Sequence, residues 1–208
     1  MQIKYFLFLL LALSVGSKST VAQNSEDTNI NFDNEVAGKL PASWTAVSST
    51  WTIAADGANK AMKQTGKSKP DQSNLCIQNK LKYQNLQMEA RIKTIEGGKE
   101  KGGGLVWRYH DAKNYYFARV NVVENNVKIY KVTKGVRKEL KSANVKMKAN
   151  EWQTLKVAMI GYTLACYVNG QKLLNVTDTS IPNAGQVGFW SRADAISIFD
   201  DLKIKNLH

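Results

Sequence analysis

Residues 103–121 read GGLVWRYH, then DAKN, then YYFARVN, from Gly103 to Asn121. Two runs rich in aromatic and β-branched residues flank a short polar loop, Asp111 to Asn114. This is the pattern of two strands joined by a turn. Both runs carry an arginine in mid-strand, Arg108 and Arg119. A strand places alternate side chains on opposite faces, and cross-strand partners share a face. With Asp111 to Asn114 as the loop, His110 is expected opposite Tyr115, Arg108 opposite Phe117 and Val106 opposite Arg119. One face then holds Leu105, Trp107, Tyr109, Tyr116, Ala118 and Val120, an apolar core side. The other holds Arg108, His110, Tyr115, Phe117, Arg119 and Asn121. A next loop at Val123 to Asn126 puts Arg119 opposite Tyr130 and Asn121 opposite Lys128. The expectation is a three-stranded meander whose outer face interleaves arginines with aromatic rings.

The same period runs outward along the chain. Leu86, Met88, Ala90 and Ile92 alternate with Gln87, Glu89, Arg91 and Lys93, a half-buried strand with one wet face. Leu155, Val157 and Met159 alternate, as do Leu164, Cys166 and Val168, and Asn169-Gly170 follows as a two-residue hairpin signal. Strands are also expected at Val127 to Val132, Val187 to Trp190 and Ile196 to Ile204. Alternation slips at Phe199-Asp200-Asp201, which predicts a bulge. No stretch of ten residues keeps a helical period. Many antiparallel strands with short turns, in a chain of 208 residues, predict an all-β, two-sheet antiparallel jelly-roll sandwich.

The first residues stand apart. Lys4, the apolar run from Tyr5 to Val15 and the small residues Thr20-Val21-Ala22 form a secretory signal pattern, with a cut before Gln23. The run is shorter than the roughly 20 apolar residues that span a bilayer. The residue directly after the cut is Gln23, not a cysteine, which speaks against a lipoprotein. The expected organisation is a signal peptide at 1–22, a polar segment at 23–29 that is disordered or extended, and one sandwich domain at 30–206. Export places the domain in the periplasm, at the cell surface or outside the cell, with no transmembrane segment in the mature chain.

Charge and rare residues narrow the function. The formal net charge is +12. The lysines are scattered singly, with no basic helix and no aromatic RNA-binding signature, so nucleic acid is not the expected partner and acidic glycans rank above it. Cys76 and Cys166 are the only cysteines, and His110 and His208 the only histidines. That leaves most zinc sites without ligands and any Ser-His-Asp device dependent on His110. Cys166 shares parity with Leu164 and Val168, whereas Cys76 shares parity with Asn74 and Gln78. The two thiols are therefore expected on opposite faces and free.

Candidate site residues follow from these patterns. Aromatic rings stack on the apolar faces of sugars, while Arg, Asn and His supply directed hydrogen bonds. The ligand-binding set is Arg108, His110, Tyr115, Phe117, Arg119, Asn121 and Tyr130, with Arg192 in a loop that flanks the cleft. Glycoside hydrolysis ordinarily needs two carboxyls about 5–10 Å apart. The meander face carries none, and the nearest acids are Glu124, Asp111 and Asp194 in loops. Pairing of the terminal strands would bring Asp33 close to Asp200 and Asp201, a cluster that suits calcium; the alternative is that these bulge and turn acids satisfy backbone amides. No cofactor is otherwise required.

Several stretches together resemble a known superfamily. They are Gly103 to Arg108, Asn114 to Asn121, Glu124-Asn125-Asn126, Glu151 to Leu155, Val168 to Leu173, Gly185 to Trp190 and Phe199 to Leu202. They are similar to concanavalin A-like lectin/glucanase domains, in particular to laminin-G-like and 3-keto-disaccharide hydrolase-like domains of exported bacterial proteins. The resemblance implies a sandwich that binds carbohydrate. A glycoside hydrolase acting on a glucan or a 3-keto-disaccharide is the alternative, and a surface module that binds protein is a third. The Glu-x-Asp-x-x-Glu strand of family 16 glycoside hydrolases is absent, and Gly102 to Leu105 stands where Asn-Ser-Gly-Ile is common among 3-keto-disaccharide hydrolases.

Overall fold

A computed structural model describes residues 27–66, 68–69, 72–98 and 101–207. The expected signal peptide, 1–22, lies outside the described residues. Among the described residues there are fifteen strands and no helix. They are β1 (Thr28–Ile30), β2 (Trp44–Ala46), β3 (Trp51–Asp56), β4 (Asn59–Gln64), β5 (Ser73–Tyr83), β6 (Leu86–Glu96), β7 (Gly102–Asp111) and β8 (Asn114–Asn121). After these come β9 (Asn126–Thr133), β10 (Val136–Asn144), β11 (Trp152–Ile160), β12 (Thr163–Val168), β13 (Gln171–Thr177), β14 (Gly185–Arg192) and β15 (Ile196–Asn206). Thr28 and Asn29, from the end of the polar segment, are extended in β1 and pair with Ile204 and Lys203.

Two antiparallel sheets form. One has the order β13-β12-β11-β6-β15-β4-β3, with β1 added beside β15. The other has the order β10-β9-β8-β7-β14-β5-β2. This is the jelly-roll sandwich expected from the alternation. Apolar positions of period 2 from both sheets meet in one core that includes Met88, Ile92, Trp107, Tyr116, Val157 and Phe199. Trp107 is fully buried, stacked on Tyr116 at 5.8 Å, and its indole N–H points at the Met159 sulfur at 3.2 Å. Such a buried ring pair adds about 0.5–1.5 kcal/mol beyond its area burial.

Several local expectations are met. Asn169 and Gly170, both at positive φ, turn β12 into β13. The bulge falls where the alternation slips, between Asp200 and Lys203, with Asp201 at φ 50°. Cys76 and Cys166 are both free. The reason given for the thiols is corrected, however. Cys76 does not point away from the core: both thiols lie in the inter-sheet core. Asn74 and Gln78, whose polarity suggested a wet face, are themselves buried and bonded. Asn74 accepts from the Ser68 hydroxyl at 2.7 Å, and the Gln78 side-chain oxygen accepts from the backbone N–H groups of Lys80 and Leu81.

Two register expectations are also corrected. The β8–β9 loop is shorter than expected, so Arg119 pairs with Lys128 and Asn121 with Asn126, while Tyr130 pairs with Phe117. This slip of two residues leaves every side chain on its expected face. On β7 the slip is not harmless. Trp107 pairs with Tyr116 and Asp111 with Asn114, so Arg108, Tyr109 and His110 stand across from Tyr115 alone. Arg108 takes φ 46°, and β14 shifts register beside it, between Gln186 and Gly188. Gly185 accommodates the bulge, since a Cβ there would overlap the Arg108 backbone. The bulge exchanges the faces of two residues: Tyr109 joins the outer aromatic face, and Arg108 leaves it.

Candidate functional site

The face of the seven-stranded sheet turned away from the core carries a second apolar cluster: Leu75, Ile77, Val106, Tyr109, Tyr115, Phe117, Val132 and Trp190, with Tyr130 packed on it. Cross-strand register aligns its rings. Trp190 stacks on Phe117 at 4.7 Å, and Phe117 stacks on Tyr130 at 4.7 Å. The Arg137 guanidinium lies over Tyr130, 5.8 Å from the ring centre. Phe117 and Trp190 are buried within this stack, so they form its floor rather than an open platform.

An open cleft of about 300 Å³ sits at the end of this face, beside the β7–β8 and β9–β10 turns. Tyr115, Val132, Leu75, Ser73, Gln72 and Arg137 line it. Three strands position the key groups, because Tyr115 pairs with Val132 and Val132 with Arg137. Ser73 is fixed from below, where its hydroxyl accepts from the Trp190 indole N–H at 3.0 Å. The phenol of Tyr115 is pushed above its ordinary value by burial, partly offset by its bond to the Ser73 side chain and the nearby charge of Arg137. It remains a neutral hydroxyl at physiological pH, a donor and an acceptor. Ser48 is committed to the sheet, donating to the Ser73 carbonyl at 2.7 Å and accepting from the Leu75 N–H at 2.9 Å. None of the described lining residues is acidic.

The residues expected from sequence are distributed differently. Tyr115 lines the cleft, while Phe117 and Tyr130 lie in the stack beside it. His110 is exposed at the end of β7. Arg108 is fully buried at one end of the sandwich. Its Nε and Nη2 donate to the Gln84 carbonyl at 2.9 and 2.7 Å, Nη1 to Ile181 at 2.7 Å and Nη2 also to Gly161 at 2.7 Å. It therefore ties three connections together instead of facing a ligand. Arg119 keeps the outer face but is buried, bound to Glu124 at 2.8 Å and to the Asn126 side chain at 3.0 Å. Asn121 is buried, its side-chain oxygen capping the turn through the N–H groups of Val123 and Glu124. Arg192 ends β14 opposite Ser73.

The acids are engaged as well. Burial would raise the Glu124 carboxyl, but hydrogen bonds from Arg119 and Asn126 outweigh it and hold the group below its usual range. Asp111 closes its own turn, accepting from the Lys113 N–H and the Asn114 amide, which lower its pKa. Asp194 accepts from the Gly98 N–H at 2.9 Å. Of the calcium set, Asp200 and Asp201 both face Arg91, at 3.2 and 2.6 Å, and Asp33 accepts from the Lys60 N–H at 3.2 Å. A positive charge thus already sits between the paired aspartates. Among the described residues, no group of three or more His, Cys, Asp or Glu side chains is placed to hold a metal.

Sequence reading missed Arg137, Gln72 and Ser73. A signal for Arg137 was present. Lys134-Gly135 is a two-residue turn between β9 and β10, with φ of 52° and 81°. Reading it as a hairpin sets Arg137 opposite Val132 and hence in the row of Tyr115. No comparable signal marks Gln72 and Ser73, which reach the cleft through the long-range pairing of β5 with β14.

A family model, the 3-keto-alpha-glucoside-1,2-lyase-like domain, matches residues 30–205. The chain belongs to this family. Comparison with curated proteins gives no match. Among solved structures, the carbohydrate-binding module CBM66 from Bacillus subtilis superposes with a TM-score of 0.69 at 21% identity, over 79% of this chain and 96% of that one. A Bacillus licheniformis beta-glucanase superposes with a TM-score of 0.61 at 14% identity, over 89% of this chain and all of that one. A GH43 protein from the same organism, BlXynB, gives 0.63 at 15% identity, and there the match spans 86% of this chain but 39% of the longer one. At these identities the likeness establishes the shared jelly-roll fold. The family adds a carbohydrate-binding or glycoside-hydrolase-like sandwich.

Proposed function

We propose that the protein is an exported domain that binds carbohydrate in the cleft formed by Tyr115, Val132 and Arg137 with Gln72 and Ser73. One observation carries this reading: the cleft joins an aromatic and apolar wall to a few fixed polar groups on a rigid sheet. That is the composition of a small-ligand site. Two structural neighbours, a carbohydrate-binding module and a beta-glucanase, are consistent with it. Export rests on Lys4, the apolar run from Tyr5 to Val15 and Thr20-Val21-Ala22. A glycan array with the purified protein, followed by calorimetry on the hits, tests the binding. The expected result is at least one saccharide bound by the wild type and bound about tenfold more weakly by Arg137→Ala or Gln72→Ala. Undiminished binding by both variants contradicts the assignment of the cleft.

Bond cleavage is a second reading, favoured by the lyase-like family model. His110 and Asp111 are the ionisable groups at the turn whose next residue, Ala112, lines the cleft. Incubating the same saccharides with the protein and with His110→Ala separates the readings. Product formation lost in the variant supports cleavage, and intact saccharides support binding alone.

A further inference from the structure

We infer that the sugar held in this cleft carries a negative charge, with a uronic-acid carboxylate as its chemical class. The inference rests on the proposed carbohydrate site and concerns which saccharides enter it. Arg137 lines the cleft and is exposed, and among the described residues it makes no ion pair; it lies over the ring of Tyr130, and its charge acts on the Tyr115 phenol. A planar guanidinium left without a carboxylate can offer a bidentate pair of donors to one. The rim has the same sign. Gly135 lines the cleft and donates its N–H to the Lys113 carbonyl at 3.0 Å, and the Lys113 side chain lies along it. Lys134 is held beside them by the Asn114 side-chain oxygen at 3.1 Å. Two hydrogen-bonded turns therefore bring Lys113, Lys134 and Arg137 to one edge.

Two described acids near the cleft are already engaged. Asp111 is bound to its own turn, and Glu139, on the face of Arg137, has Lys128 at 3.3 Å and the Tyr130 hydroxyl at 3.4 Å. Elsewhere on the sheets Arg91 is paired with two aspartates, Lys93 with Asp56, Arg119 with Glu124 and Lys131 with Asp178. Gln72 and Tyr115 then remain for the hydroxyls of the ring.

Calorimetry with tetragalacturonate and with the neutral galactotetraose, each at low and at moderate salt, tests this. The expected result is at least tenfold tighter binding of tetragalacturonate, a preference that shrinks as salt rises. Arg137→Ala should remove most of the preference, and Arg137→Lys should restore only part of it. Lys172→Ala, an exposed charge on β13 in the other sheet, should change it less than twofold. Equal binding of the two sugars overturns the charge inference and leaves the carbohydrate site standing. Binding of neither to the folded protein, with array hits confined to neutral glycans, likewise overturns the charge inference alone. No array hit of any kind overturns both.

Discussion

Arg108 and Arg137 show how position decides what one side chain does. The guanidinium of Arg108 is sealed among the Gln84, Gly161 and Ile181 carbonyls, three connections at one end of the sandwich. Removing it leaves these acceptors without their donor and opens a cavity. Arg108→Ala is therefore expected to lower stability by about 3 kcal/mol or more, whereas Arg137→Ala stays within about 0.5 kcal/mol. Urea unfolding of the two variants checks this, and equal costs contradict the division of roles. Asp178 offers a second test at this scale. Burial opposes its charge, but hydrogen bonds from Lys131, Tyr116 and Ser180 outweigh it and bring its pKa from 3.8 to about 2. A carboxyl depressed in the folded state stabilises above its unfolded pKa and loses that contribution as pH falls through the folded one. The contribution is thus present above about pH 4, is about 2 kcal/mol, and is lost as pH falls through about 2. Asp178→Asn should narrow its stability gap from wild type over that window. A gap independent of pH contradicts the assignment.

At the scale of strands and turns, much was legible because a half-buried strand writes its period into the sequence. Leu86 to Lys93 and Leu155 to Met159 needed no other information. Asn169-Gly170 was equally plain, since the turn needs two residues at positive φ. Gly170→Ala places a Cβ at φ 82° and is expected to cost about 1 kcal/mol while leaving the sheet intact. Thermal unfolding with a retained far-ultraviolet spectrum checks it, and an unchanged melting temperature contradicts it. The β7 bulge was not legible. Arg108 is neither Gly nor Asn, the usual residues at φ near 46°, and the partners that make the bulge worthwhile come from three distant connections. Without the bulge, strict alternation set Arg108 on the ligand face and Tyr109 in the core, the reverse of the fold. For the same reason polarity misled at β5: Asn74 and Gln78 are buried because they bond locally, and Cys76 follows them inward.

For the whole molecule, the aromatic and basic residues on the seven-stranded sheet separate into parts. Trp190, Phe117 and Tyr130 form a stacked floor, Arg119 is locked to Glu124 and Asn126, and one end of the face opens as the cleft. The sandwich supplies rigidity: the cleft's walls come from the consecutive strands β8, β9 and β10 and from the distant β5, all joined in one continuous sheet. Fold and family could be anticipated from the spread of strand and turn motifs along 30–205, because a jelly roll repeats its pattern in every strand. The site could be anticipated only in part, since Tyr115 shares a strand with the residues that drew attention while Gln72, Ser73 and Arg137 arrive through sheet pairing. The most direct test of the account is a titration of isotope-labelled protein with a saccharide that it binds, followed residue by residue by NMR. The account predicts that the largest shifts fall on Gln72, Ser73, Tyr115 and Arg137, with little change at Arg108 or at Trp152 on the opposite sheet. Shifts centred on the Trp152 face, with the cleft unaffected, would contradict it.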